Sequence, residues 1–152
     1  MAIICGNLSK KSGSIQAPIG RSLKDRKKMV VTKIKSREAW TEFKVLKSFT
    51  LCDLLQLKLK TGRTHQIRVH LSYLGHPVLG DPEYGGRAKW LASLSISKKK
   101  IAPELLNLIS RQALHAFKIG FIHPQTDKYL EFQAPLALDI SQVLDFLETY
   151  EI

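Results

Sequence analysis

The run Leu59-Lys60-Thr61-Gly62-Arg63-Thr64-His65-Gln66-Ile67-Arg68-Val69-His70 gathers cationic, amide and imidazole side chains around one glycine. It reads as a strand end, a glycine turn and the first turns of a helix. Free N–H groups and the helix dipole at such a start favour a phosphate or a carboxylate. Arg63, Thr64, His65 and Gln66 surround the expected helix start and are candidate anion contacts. Thr64 can equally be the N-cap and Gly75 the C-terminal stop, and the two readings are compatible. His65, Arg68 and Ser72 recur at i, i+3 and i+7 and share one face, while Ile67, Leu71 and Leu74 line another. One face is expected to pack and the other to meet a ligand. His65, His70 and His76 lack the i, i+4 pairing of a zinc-binding helix and have no neighbouring Glu or Cys, so no metal site is expected.

The elements that must hold this run can be read from periodicity. Thr41 to Phe49 and Asp53 to Lys60 alternate as strands, with Leu55, Leu57 and Leu59 on one face and Gln56, Lys58 and Lys60 on the other. They are expected to be antiparallel neighbours. Phe117, Ile119 and Phe121 alternate too, and the turn-prone His123-Pro124-Gln125-Thr126-Asp127 leads into Tyr129 to Gln133, giving a second hairpin. Asp139 can cap a final helix with Gln142 at N3 and an apolar stripe of Val143, Leu144, Leu147 and Tyr150 that closes one side of the sheet. Ser9 to Lys28 and Arg87 to Lys100 look irregular and are expected to be exposed loops, before a short helical stretch around Glu104 to Ile109. Asp81 lies in a Gly-Asp-Pro turn, where Asp makes local hydrogen bonds, and is read as structural. Tyr84, just after that turn, suits either a base-stacking or a core position.

Length and composition fit one α+β domain over residues 1–152, with a largely antiparallel, mixed sheet flanked by helices and loops: 44% of the residues are hydrophobic and 24% charged. Charge is divided unevenly. Residues 1–70 carry 16 Lys and Arg against 4 Asp and Glu, a balance of +12, whereas residues 71–152 carry 8 against 9, a balance of −1. Clustered cations favour a polyanion through counterion release, so nucleic acid is a better partner than a neutral metabolite. No apolar run approaches the roughly 18–20 residues that span a bilayer, and no basic helix presents exposed aromatic anchors, so neither a membrane span nor a surface anchor is expected and a cytoplasmic location is. Cys5 and Cys52 stand alone and read as buried strand thiols.

The central run resembles the signature of RluA-like RNA pseudouridine synthases, T-G-R-T/S-H-Q-I/L-R-x-H, followed by G-H-P and G-D-x-x-Y-G. Here these are Thr61 to His70, Gly75-His76-Pro77 and Gly80-Asp81-Pro82-Glu83-Tyr84-Gly85. Family-like stretches also occur at Ala17-Pro18-Ile19-Gly20-Arg21, Arg111 to Ala116, His123-Pro124 and Phe132 to Leu136. The resemblance implies a pseudouridine synthase-like fold and a catalyst that breaks the glycosidic bond of a uridine, turns the uracil and rejoins it through a ring carbon. That isomerisation involves no redox change and implies no cofactor. Its substrate would be uridine in structured rRNA or tRNA, flipped from its stack at a cost of a few kcal/mol.

The resemblance also implies roles for individual residues. Arg68 matches the family arginine that pairs with the essential aspartate, holding it ionised and oriented, a task suited to a bidentate guanidinium. The alternative is an ordinary surface arginine on an exposed helical face, and without the motif the two readings would stand nearly even. Arg63, Thr64, His65, Gln66, Arg21 and Lys60 become candidate RNA contacts. The family's aspartate motif, H-R-L-D-x-x-T-S-G, and the stacking tyrosine that follows it match nothing here, and Met1-Ala2-Ile3-Ile4-Cys5-Gly6 matches the stretch just after that tyrosine. The chain is therefore expected to be an N-terminally truncated, C-terminal part of the catalytic domain, inactive alone. Its sheet edge would be exposed, giving marginal folding or association through that edge. The alternative is a non-catalytic RNA-binding remnant or partner subunit.

Overall fold

Thr41, Phe43 and Val45 in one segment alternate in step with Leu59, Leu57 and Leu55 in the next, and the pair of strands they build carries the rest of the chain. A computed structural model describes residues 1–150. In chain order, β1 (Ala2–Cys5), β2 (Ser12–Gln16), β3 (Ile19–Arg21), β4 (Met29–Val31), β5 (Ser36–Arg37), β6 (Trp40–Ser48) and β7 (Cys52–Leu59) lead to helix α1 (Gln66–Tyr73). Short helices α2 (Ala88–Ser93), α3 (Ile96–Lys99) and α4 (Ala102–Asn107) then precede the hairpin of β8 (Lys118–Ile122) and β9 (Tyr129–Gln133), and α5 (Leu138–Thr149) closes the fold.

The principal sheet has the order β1-β7-β6-β2, with every named pair antiparallel. A slip between Val45 and Lys47 in the pairing with β7 leaves the exposed Leu46 as a bulge. The main core includes Ile3, Ile4, Leu55, Leu71, Val78, Leu105 and Val143, drawn from strands and helices at opposite ends of the sequence, and because the consecutive Ile3 and Ile4 are both buried the sheet is covered on both faces at β1. A second, small sheet, β4-β3-β5, forms its own cluster from Ile19, Ala39 and Val69, with Met29 and Tyr84 packed against it. Helix α1 thus sits between two apolar surfaces, Leu71 in one and Val69 in the other. Each fully buried aliphatic side chain contributes about 2 kcal/mol.

Helix α1 ends in a Schellman motif: the Gly75 N–H donates to Ser72 O, the His76 N–H donates to Leu71 O, and Gly75 takes φ 83°. Gly75 is the C-terminal stop that the sequence suggests. At the other end the N-cap is His65, at φ 56°, and among the described residues no side chain caps the helix. Thr64 does not cap; the first turn is instead secured by Gln66 folding back.

Two loop expectations are corrected. Ser9 to Lys28 contains β2 and β3, because Ile15, Ala17 and Ile19 bury their side chains there and outweigh the Gly, Ser and Lys around them. Arg87 to Lys100 contains α2 and α3, anchored by buried Trp90. The final helix starts earlier than expected, after Ala137; Asp139 lies in its first turn and pairs with Arg111, Nε to Oδ2 2.8 Å. The hairpin expected after Phe117 is present but presents Ile119, Phe121, Ile122, Tyr129 and Phe132 to solvent, with Phe121 stacked on Phe132. Cys5 and Cys52 lie opposite one another in β1 and β7, both buried and unbridged.

The loop after α1 is drawn tight at Gly86, whose N–H donates to Asp81 O at 2.8 Å; a Cβ there would lie 1.8 Å from Val78 O. Gly86→Ala should therefore destabilise the fold by about 1–3 kcal/mol, measured as a lowered unfolding midpoint in denaturant. An unchanged midpoint would show that the loop relaxes freely.

Candidate active site

The shared face of His65, Arg68 and Ser72 is real, but it meets the chain itself. All three reach the turn at Gly80–Gly85. Ser72 Oγ donates to Tyr84 O at 2.9 Å. His65 Nδ1 lies 2.8 Å from the Tyr84 hydroxyl; that hydroxyl accepts the Met29 N–H, so its own hydrogen can go to the imidazole. Between them Arg68 sends Nε to Asp81 Oδ2 at 2.7 Å and Nη2 to Asp81 Oδ1 at 2.9 Å, while Nη2 also meets Glu83 Oε2. The guanidinium lies over the Tyr84 ring, 4.6 Å from its centroid. Both faces of α1 therefore pack, in contrast to the expectation of one free face.

Asp81 is completely buried and its Oδ1 also accepts the N–H groups of Glu83 and Tyr84. Burial works against its charged form, yet the Arg68 hydrogen bonds and the two backbone donors outweigh it and hold the carboxyl below its usual range. Hydrogen bonding to Asp81 pushes the Arg68 guanidinium further up from an already high value. The turn-forming role expected of Asp81 is thus present together with an ion pair. Tyr84 takes a packed position, supporting Arg68 and closing on the small sheet. Burial raises its pKa.

A second polar network fixes the start of α1. Gln66 Oε1 accepts from Thr61 Oγ1 and the Arg63 N–H, and its Nε2 donates to Trp40 O and Thr41 Oγ1. Thr41 then serves His70 Nδ1 at 2.9 Å, and His70 Nε2 faces Ala17 O at 2.9 Å, which makes Nε2 the protonated nitrogen. Gln66, Thr41 and His70 are all buried. The chain pulls β6, the β2–β3 link and α1 to one point. Gln66, expected among the anion contacts, has its side chain spent inside this network.

The remaining candidates are spread out. Arg63 Nε donates to Glu38 O; Arg21 Nη1 donates to Arg26 O; Lys60 lies over Trp40 and 3.4 Å from Glu42; Thr64 is exposed. Among the described residues no group of three or more His, Cys, Asp or Glu could hold a metal, and no helix is long and apolar enough to cross a membrane. Glu83, named in the sequence only as a variable position of the Gly80–Gly85 motif, is the site residue whose part was missed. Its only signal was its place two residues beyond Asp81.

Residues 2–73 match the family model described as RNA pseudouridylate synthase. Over 146 residues the chain is 43% identical to an uncharacterized RNA pseudouridine synthase, YlyB, of Bacillus subtilis, covering 96% of this chain and 42% of that protein. The chain belongs to the RNA pseudouridine synthase family. A further family member, ribosomal large subunit pseudouridine synthase D of Vibrio vulnificus, is 40% identical over 96% of this chain and 43% of its own length. The chain thus spans less than half the length of these pseudouridine synthase relatives. Human RNA pseudouridylate synthase domain containing 4 shares the fold with a TM-score of 0.73 and 27% identity, over 97% of this chain and 60% of that one. The mixed α and β architecture with antiparallel sheets is the pseudouridine synthase-like fold that the motifs implied.

The His70 network sets a pH dependence. Burial lowers the His70 pKa more than the Ala17 contact raises it, so the unfolded chain binds this proton more readily than the folded one. Stability should be flat above about pH 6.5 and fall by up to roughly 1.4 kcal/mol per unit below it, until His70 titrates in the folded state. Denaturant unfolding across pH, with NMR detection of the His70 ring, checks this. A folded-state ring titrating at or above about 6.5 contradicts the network.

Proposed function

We propose that this chain is the arginine-bearing, RNA-facing part of an enzyme that isomerises uridine to pseudouridine in structured rRNA or tRNA. Arg68 orients the reacting carboxylate, and that carboxylate comes from outside these residues. The observation that carries this reading is the guanidinium of Arg68, held in place by a buried aspartate within the family's T-G-R-T-H-Q-I-R-V-H run.

The chain's own aspartates support an external carboxylate. Asp81 is enclosed and committed to Arg68 and its own turn, and Asp53 is equally buried, accepting from Asn7 Nδ2 and the Leu8 N–H. Asp25 caps an exposed turn beside Lys28, Asp127 lies in the β8–β9 turn, and Asp139 pairs with Arg111. Neither buried carboxylate has an open side from which to reach a sugar. Electrostatics supports the RNA partner: Arg21, Lys60, Arg63 and the other basic residues before position 71 give that half its excess of 12 positive charges, the difference of 16 and 4. The apolar face of the β8–β9 hairpin fits a surface that the rest of a whole enzyme, or association with another copy, would cover. The cytoplasm, where rRNA and tRNA are modified, is the location this reading implies.

A uridine-isomerisation assay on unmodified bulk RNA tests the proposal. The chain alone should be silent. Mixed with a family N-terminal segment carrying H-R-L-D, it should co-sediment and become active, and Arg68→Ala should lower that activity by at least about a hundredfold. Activity of the unmixed chain would contradict the external carboxylate. A mixture that assembles on RNA yet never isomerises would favour a non-catalytic RNA-binding subunit.

A further inference from the structure

We propose that the outward face of strands β6 and β7 is a separate contact for single-stranded RNA, on which an unpaired base stacks on Trp40 while neighbouring phosphates meet Lys44 and Lys58; this rests on the RNA reading above. Strand register puts these residues together. Glu42 of β6 lies opposite Lys58 of β7, Lys44 follows two positions along β6, and Trp40 O accepts the Lys60 N–H. The intervening Thr41 and Val45 turn inward and are buried, whereas Trp40, Lys44, Lys58 and Lys60 are exposed. From Trp40 to Lys44 the face runs for about 14 Å, room for a short stretch of a strand rather than for one phosphate.

Trp40 is the unusual member. Its side chain offers a large apolar ring, yet the residue is 39% exposed. Its backbone is fixed: the N–H donates to Thr61 Oγ1 at 2.9 Å, and the carbonyl also accepts from Gln66 Nε2 at 3.1 Å. The ring is therefore displayed from a rigid point that is tied, through Gln66, to the start of the helix carrying Arg68. Lys60 Nζ lies 5.7 Å from the ring centroid and 3.4 Å from Glu42 Oε1. The face holds Lys44, Lys58 and Lys60 against Glu42, a balance of +2 from three and one. Arg63, whose Nε donates to Glu38 O, continues it towards α1, with the exposed Glu38 as the acidic neighbour there. An open aromatic ring among cations suits a single strand, because every base has a π-face to stack and its phosphates answer the lysines. A duplex keeps its bases stacked on one another and offers the ring nothing. A uridine flipped from its stack leaves the bases beside it unstacked on one side, which is the kind of base this ring can take.

The test combines tryptophan fluorescence with anisotropy of a labelled, uridine-rich, single-stranded RNA, for the chain, W40L, W40F and a double variant carrying K44Q and K58Q, at several salt concentrations. Trp90 is buried, so the emission that a stacked base quenches is that of Trp40. RNA should quench it, W40L should weaken binding about tenfold, and W40F, which keeps a ring, should retain most of the affinity. The lysine variant should bind more weakly and flatten the slope of log K against log salt by about 1.4. Unfolding midpoints establish that each variant is folded. RNA binding without quenching and without loss in W40L overturns the stacking face and leaves the RNA reading intact. Equal losses in folded W40L and W40F also overturn stacking, and an unchanged salt slope overturns the phosphate contacts. Binding by none of the proteins overturns both this proposal and the RNA reading. A fully paired RNA bound as tightly, with the same loss in W40L, overturns the assignment to a single strand. In a parallel arm, binding of a labelled acidic peptide that depends on Trp40 while RNA binding does not gives the face to a protein partner and overturns the proposal.

Discussion

A guanidinium that is almost wholly enclosed must have its charge answered, and in this protein the buried Asp81 answers it together with the more exposed Glu83. Moving Arg68 and Asp81 out of water costs several kcal/mol per ion, so the pair is tolerated only because its geometry is bidentate and Asp81 is further satisfied by two backbone N–H groups. That constraint reaches outward. It fixes the Gly80–Gly86 turn against α1, sets Tyr84 beneath the guanidinium, and through the Tyr84 hydroxyl ties the turn to Met29 in the small sheet.

The same helix is fixed at its start by the Gln66–Thr41–His70 network, so α1 is located at both ends by polar groups and along its length by apolar ones. This explains how an eight-residue helix can hold Arg68 steadily. Little of its position comes from helix propensity; it comes from Leu71 and Val69 entering two separate cores. The role proposed for Arg68 needs such a support, since a loosely held arginine would orient nothing.

Periodicity made much of this visible in the sequence. β6, β7, the β8–β9 hairpin and α5 follow from alternating or helical apolar patterns, and Gly75 marked the end of α1. β2 and β3 were hidden because their few apolar residues, Ile15, Ala17 and Ile19, are set among Gly, Ser and Lys and become buried only through long-range pairing. In the site, Arg68 was legible from its motif. Its partner was less so: a Gly-Asp-Pro turn accounts for Asp81 locally, and nothing in local pattern shows that the second carboxylate oxygen points 13 residues back. Gln66 looked like an anion contact for the same reason, since Trp40 and Thr41, to which its amide donates, lie 26 and 25 residues away.

The position of Arg68 therefore depends on the rigidity of one ion pair. NMR of the Arg68 Nε–H tests it most directly, through its exchange with water and its response to Asp81→Asn. A slowly exchanging, well-resolved signal that collapses to the fast exchange of a surface arginine in the variant is the predicted result. Fast exchange in the unaltered chain would mean that Asp81 does not hold the guanidinium, and the positioning role of Arg68 would lose its structural basis.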